Sequence, residues 1–269
     1  MKWKIKNNCI SELFLGEDNL IYPWGIETAD SSAFFSLEDK VGYRYSVLSS
    51  ASDFGPEQYR GSYEVKMQEG RWQLDIDDKI INSTTIQRSA YLNCLESSHF
   101  MDFVVRFRFK KEFFPNAEIN GMHYQHKNSN LYYQFPVREA QLTGSRYRVK
   151  VSIDEVTCPE VFSPQMYVRD YEDEWVVHAR MVPVSWEKEV IKLCNRWAHT
   201  RPLPQFFSNA LLKVPFIKRQ LWYRGERKPF TGPIMRRINP LACPIVKLGQ
   251  GEVLFWKVTA TFNTLFSTS

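Results

Sequence analysis

Asp102-Phe-Val-Val-Arg-Phe-Arg-Phe-Lys110 decides the fold class of this chain. Side chains of an extended strand point alternately to its two faces. Phe103, Val105, Phe107 and Phe109 therefore share one face, and Asp102, Arg106, Arg108 and Lys110 share the other. A period of two held over nine residues is the mark of a strand buried on one side. The same pattern recurs outward from this stretch. Trp72, Leu74 and Ile76 oppose Arg71, Gln73, Asp75 and Asp77; Tyr147, Val149 and Val151 oppose Arg146, Arg148 and Lys150. Further strands are expected at Gly42–Leu48, Ser62–Met67, Thr84–Leu95, Met122–His126, Leu131–Phe135, Met166–Asp170, Glu174–Val182 and Glu252–Phe262. Gly70 and Gly144 mark turns, and Lys127-Asn-Ser-Asn130 reads as the loop of a hairpin between two aromatic strands, because Asn tolerates left-handed turn geometry.

Helices are few. Val190, Leu193, Cys194 and Trp197 repeat at helical spacing after a capping Ser185, and Pro204 opens an amphipathic stretch to Lys213. The prediction is a mainly β, antiparallel protein, a β-sandwich or a lipocalin-like β-barrel, with one or two short helices before its last strand. Residues 1–269 are read as a single β-rich domain with a helical and basic insertion at about 185–240.

Charge is concentrated in that insertion. From Lys213 to Arg237 eight cations face one acid, 8 − 1 = +7, whereas the 269-residue chain is +5, so the remainder sums to −2. Lys218, Arg219, Arg224, Arg227 and Lys228 are interleaved with Trp222 and other large apolar residues, which suits an anionic surface such as a membrane. Nucleic acid is a less favoured partner for the same segment. An aromatic content of 15% adds to the case for sheet and for a pocket gripping an apolar or amphipathic ligand.

No window approaches 18 apolar residues, and no apolar run follows the basic start at Met1–Lys6, so a cytoplasmic protein that meets membranes peripherally is expected. Five widely spaced cysteines without a C-x-x-C pair encode neither a disulfide framework nor a zinc knuckle. Phosphate-binding glycine loops, dinucleotide fingerprints and metalloprotease motifs do not occur, so neither a cofactor nor a metal is expected.

Two constellations carry candidate chemistry. His123, Tyr124, Tyr132 and Tyr133, placed on the two strands of the expected hairpin, offer proton transfer for an isomerase, cyclase or hydratase. His123 is expected to be fixed by the strand, and His126, beside the loop, to be freer. Arg106 and Arg108, if adjacent to Arg146 and Arg148, make an anionic-ligand face. A glycan-active protein, of lyase or hydrolase type or simply glycan-binding, is the alternative reading of the same residues. His178, in Trp175-Val-Val-His-Ala-Arg180, reads as a structural histidine.

Overall fold

The computed structural model describes residues 1–29, 33–38, 42, 45–67, 70–129, 132–184 and 246–265. With strands numbered in chain order, one sheet runs β13 (Met122–Gln125), β12 (Asn116–Ile119), β15 (Glu139–Thr143), β16 (Tyr147–Thr157), β20 (Val253–Thr264), β9 (Thr85–Glu96), β8 (Gly70–Asn82), β7 (Gln58–Met67), β6 (Tyr45–Phe54). The second runs β14 (Tyr132–Phe135), β17 (Phe162–Tyr171), β18 (Glu174–Pro183), β11 (Asp102–Lys110), β4 (Ile21–Ala29), β5 (Phe34–Ser36). Two small sheets, β1 (Lys2–Lys6) to β3 (Asp18–Asn19) through β2 (Cys9–Leu15), and β10 (Ser98–Phe100) with β19 (Val246–Leu248), complete the described strands.

The large sheets pack face to face as a sandwich, the core lying between the apolar faces foreseen from alternation. Trp72, Leu74 and Ile76 of β8 and Val258, Ala260 and Phe262 of β20 meet Phe103, Val105, Phe107 and Phe109 of β11 in one cluster. Each of the Val, Leu, Ile and Phe side chains contributes about 1.5–3 kcal/mol by leaving water. Trp256 Nε1 ties the layers by donating to the Phe103 carbonyl at 3.2 Å, and the Phe109 and Phe262 rings lie 6.2 Å apart. Among the described residues each sheet keeps its own edge strands, β13 and β6 in one, β14 and β5 in the other. That arrangement is a sandwich and not a closed barrel.

Trp72 is 1% exposed. In a variant retaining only that tryptophan, acrylamide should quench the native fluorescence weakly and the unfolded chain strongly; strong native quenching would contradict this packing. Trp222, and the expected helices at Ser185–Trp197 and Pro204–Lys213, lie outside the described residues.

Three expectations need correction. The first is the hairpin across Lys127–Asn130. β13 pairs with β12 in the nine-stranded sheet and β14 pairs with β17 in the six-stranded sheet, so the connection crosses between layers. Asp170 explains why. Its carboxylate accepts from the backbone N–H groups of Lys127, Asn128 and Ser129, at 3.1, 3.0 and 2.8 Å, and from Ser129 Oγ at 2.6 Å. The loop is thus held by β17 of the six-stranded sheet instead of closing a four-residue hairpin. Asp170→Ala should cost about 1–3 kcal/mol in urea unfolding, because four part-buried donors lose a charged acceptor together; an unchanged midpoint would show that the loop is held by other contacts.

The second correction concerns the arginine face. Arg106 and Arg108 lie on β11 and Arg148 on β16, in different sheets, so the four do not form one patch. The third is the chain start, where no strand was expected before residue 42 although β1 to β5 occur there. β4, Ile21-Tyr-Pro-Trp-Gly-Ile-Glu-Thr-Ala29, hides its alternation behind a register shift. Arg106 faces Gly25 but Arg108 faces Tyr22, a bulge that accommodates the missing N–H of Pro23.

Candidate functional site

Cross-strand partners in an antiparallel sheet point the same way. The face of the six-stranded sheet turned away from the core therefore follows from the register. One row runs Gln134 (β14), Tyr167 (β17), His178 (β18), Arg106 (β11) and Gly25 (β4); the next holds Gln165, Arg180, Val104, Glu27 and Ser36. An outward sheet face is ordinarily solvated, but here Glu27, Gln134, Gln165, His178, Arg106 and Arg180 are all buried. Polar groups out of water require partners, and most of these have them.

Arg106 Nη1 bonds two carboxylates, Glu27 Oε1 at 2.9 Å and Glu38 Oε1 at 2.8 Å. Glu38 occupies the space that a side chain at position 25 would fill; a Cβ built on Gly25 would stand 1.6 Å from Glu38 Oε2. Ser36 Oγ donates to that same oxygen at 3.2 Å. Arg180 Nε donates to Asp102 Oδ2 at 3.1 Å and its Nη1 to Gln134 Oε1 at 2.5 Å, while Gln134 Nε2 donates to Gln165 Oε1 at 2.5 Å. Arg108 Nε donates to Glu174 Oε2 at 2.8 Å. Burial pushes the Glu174 carboxyl up, against the opposing pull of Arg108.

His178 sits at the centre, 0% exposed, with the Tyr167 ring stacked on it at 4.6 Å and an interplanar angle of 7°. Neither of its ring nitrogens has a hydrogen-bond partner among the described residues, nor does Gln165 Nε2. Burial first, then the positive charges of Arg106, Arg180 and Arg169, hold the imidazole well below its usual pKa of 6.5. It is neutral near pH 7, with one nitrogen a donor and the other an acceptor.

The sequence-derived candidates fall elsewhere, with two exceptions. His123 is on the edge strand β13 with its side chain 78% exposed, 3.7 Å from Glu118. The expected contrast with His126 is reversed: the His126 side chain is 6% exposed and its Nε2 lies 3.2 Å from Asp170 Oδ1. Tyr124 does meet Tyr133, ring on ring at 3.7 Å, but as a stack between the layers and not as a cross-strand pair. Burial raises the Tyr124 hydroxyl further. Tyr132 lies on β14 opposite Arg169. Arg146 is paired with Asp18 at 3.0 Å, and Arg148 is exposed on β16. Arg106 and Arg108 alone join the buried constellation. Lys218, Arg219, Trp222, Arg224, Arg227 and Lys228 lie outside the described residues. Among the described residues no cluster of three or more His, Cys, Asp and Glu is arranged to hold a metal, and no helix is long and apolar enough to cross a membrane.

Reasoning from sequence missed Glu27, Glu38, Gln134, Gln165 and the part played by His178. One signal was present: Glu174, His178 and Arg180 share a face of β18 opposite Trp175, Val177, Ala179 and Met181, a charged stripe on a strand flanked by apolar residues.

No protein-family model and no curated protein matches this chain. Among solved structures, a galactose mutarotase-like protein from Lactobacillus casei is similar over 98% of this chain and 99% of its own, at 8% identity and a TM-score of 0.45. An aldose epimerase homologue from C. elegans is similar over 97% of this chain and 80% of its own, at 8% identity and a TM-score of 0.45. A second galactose mutarotase-like protein, from Clostridium acetobutylicum, covers 96% and 87%, at 7% identity and a TM-score of 0.39. Values this low transfer no function, and the site has to be read from its own chemistry.

Proposed function

We propose that the outward face of the six-stranded sheet binds a neutral, polyhydroxylated small molecule, a saccharide, and that His178 transfers protons on it in a cofactor-free isomerisation. The observation that carries this reading is His178 itself, buried between Tyr167 and Arg106 with both ring nitrogens unpartnered among the described residues. Gln165 Nε2 adds a further unused donor on the same face. Buried polar atoms without partners are rare unless something else supplies the bond.

Charge selects the ligand class. Among the described residues Arg106 is paired on this face with Glu27 and Glu38, Arg108 with Glu174, and Arg180 with Asp102. A phosphate or carboxylate would meet cations already neutralised, whereas a sugar hydroxyl, donor and acceptor at once, matches groups of both kinds. On a cyclic sugar, neutral His178 can take the anomeric hydroxyl proton while Gln165 Nε2 donates to a neighbouring sugar oxygen. As the bond from the anomeric carbon to the ring oxygen breaks, the anomeric oxygen becomes the aldehyde carbonyl and the ring oxygen takes the proton back from the His178 imidazolium; the reverse transfers on the other face of the carbonyl close the ring to the other anomer.

Freshly dissolved α-D-glucose and α-D-galactose followed by polarimetry test this directly. The protein should accelerate the approach to equilibrium rotation beyond the buffer rate, and ligand-observed NMR should detect the bound hexose. No acceleration and no binding for either hexose would overturn the reading.

A further inference from the structure

The core between the sheets contains an ion pair where apolar packing is the rule. Asp78 of β8 and Arg88 of β9 are cross-strand partners, 0% and 2% exposed, joined by two parallel bonds, Nε to Oδ1 and Nη2 to Oδ2, both 2.7 Å. Pairs of this kind are often replaced by apolar residues of similar volume without loss of stability, so stability alone does not account for it.

The third arm of the guanidinium does. Arg88 Nη1 crosses to the opposite sheet and donates to the Gly25 carbonyl at 3.3 Å. Gly25 stands at the bulge where β4 loses register with β11. At the same bulge Trp24 Nε1 donates to the Arg108 carbonyl at 3.3 Å, and the Arg88 guanidinium lies 5.9 Å over the Trp24 ring. The irregular backbone, short of ladder bonds where Pro23 has no N–H, is thus held from the core side by two side chains. The other face of Gly25 is the notch that receives Glu38, which with Glu27 fixes Arg106 beside His178.

We infer that the buried Arg88–Asp78 pair is a positioning device for the outward face, acting through the Gly25 carbonyl to set the Glu38–Arg106 contact next to His178. This rests on reading that face as a binding site. Asp78 and Arg88 touch no ligand; they fix the backbone that the site is built on. A displacement of about 1 Å in such a constellation is enough for a 10²-fold loss of rate.

Three variants test the inference, each read by unfolding midpoint, by the ring 1H–15N resonances of His178 in histidine-labelled protein, and by hexose mutarotation. Asp78→Leu with Arg88→Met removes both charges together, so neither is left unpaired. It should keep a midpoint at or above wild type, while the His178 resonances shift and the rate falls about 10²-fold. Arg88→Lys keeps a charge for Asp78 but loses the planar fork that spans Asp78 and Gly25. It should perturb His178 in the same sense, which keeps the inference testable if the double variant does not fold. Gly25→Ala, which drives Glu38 from its notch and leaves the core pair intact, should give the same pattern at His178. Wild-type His178 resonances in a folded double variant or in Arg88→Lys would overturn the positioning role. If the wild-type protein neither binds nor interconverts hexoses, the saccharide reading fails, and the His178 resonances still decide whether the pair positions Arg106.

Discussion

Replacing His178 with alanine should lower the hexose mutarotation rate by about 10²–10⁴-fold, the usual loss when a general acid or base is removed. The fold should survive, because the imidazole forms no hydrogen bond among the described residues that its loss would orphan. The same residue should leave a mark on stability. Burial and the neighbouring arginines disfavour its protonated form, so the folded state binds this proton less readily than the unfolded chain does. Above about pH 6.5 both states carry neutral imidazole and the group has no effect. As pH falls below 6.5 the unfolded chain takes up the proton and the folded protein does not. Stability is then lost by up to about 1.4 kcal/mol per pH unit, until the folded imidazole titrates as well. His178→Gln, polar but unable to titrate, should unfold in urea with a shallower decline between pH 6.5 and 5 than wild type. Parallel profiles would mean that His178 titrates in the folded protein as it does in the unfolded chain.

Arg106→Met should be the most destabilising single change on the outward face, by about 3–5 kcal/mol at pH 7. Its guanidinium answers two buried carboxylates through one nitrogen, Glu27 at 2.9 Å and Glu38 at 2.8 Å. Removing the cation leaves both acids in an environment that resists charge, and one must then take up a proton or move toward water. Adding Glu38→Gln should recover part of the loss, since one negative charge disappears and the amide still fits the notch beside Gly25. Chemical unfolding of the two variants measures both steps. A loss below 1 kcal/mol for Arg106→Met would show that the carboxylates are compensated without this cation.

Both predictions concern residues on strands that alternation had located. Asp102–Lys110 and Glu174–Val182 were legible as strands, and the apolar face of the first was assigned correctly. Trp72, Leu74 and Ile76 went to the core as their spacing required. Such assignments are local: whether a side chain faces core or solvent follows from parity along a single strand. Where parity breaks, legibility breaks with it. β4 has Pro23 and a bulge within nine residues, and it supplies Gly25 and Glu27.

Which strands become neighbours is a different kind of fact. His123 and Tyr133 are separated by a loop short enough for a hairpin, yet the capture of that loop by Asp170, 41 to 43 residues distant, sends their strands to different sheets. Arg106 meets Glu27 across 79 residues of sequence and Glu38 across 68. Arg180 reaches Asp102 across 78 and Gln134 across 46. By itself the sequence determined an antiparallel β protein, the two faces of its regular strands and the concentration of positive charge in Lys213–Arg237. Only the tertiary structure decided the sandwich pairing and brought five strands' polar residues around His178. Partner choice is settled by the burial of the whole core against the entropy of closing long loops, and no window of a few residues contains that balance.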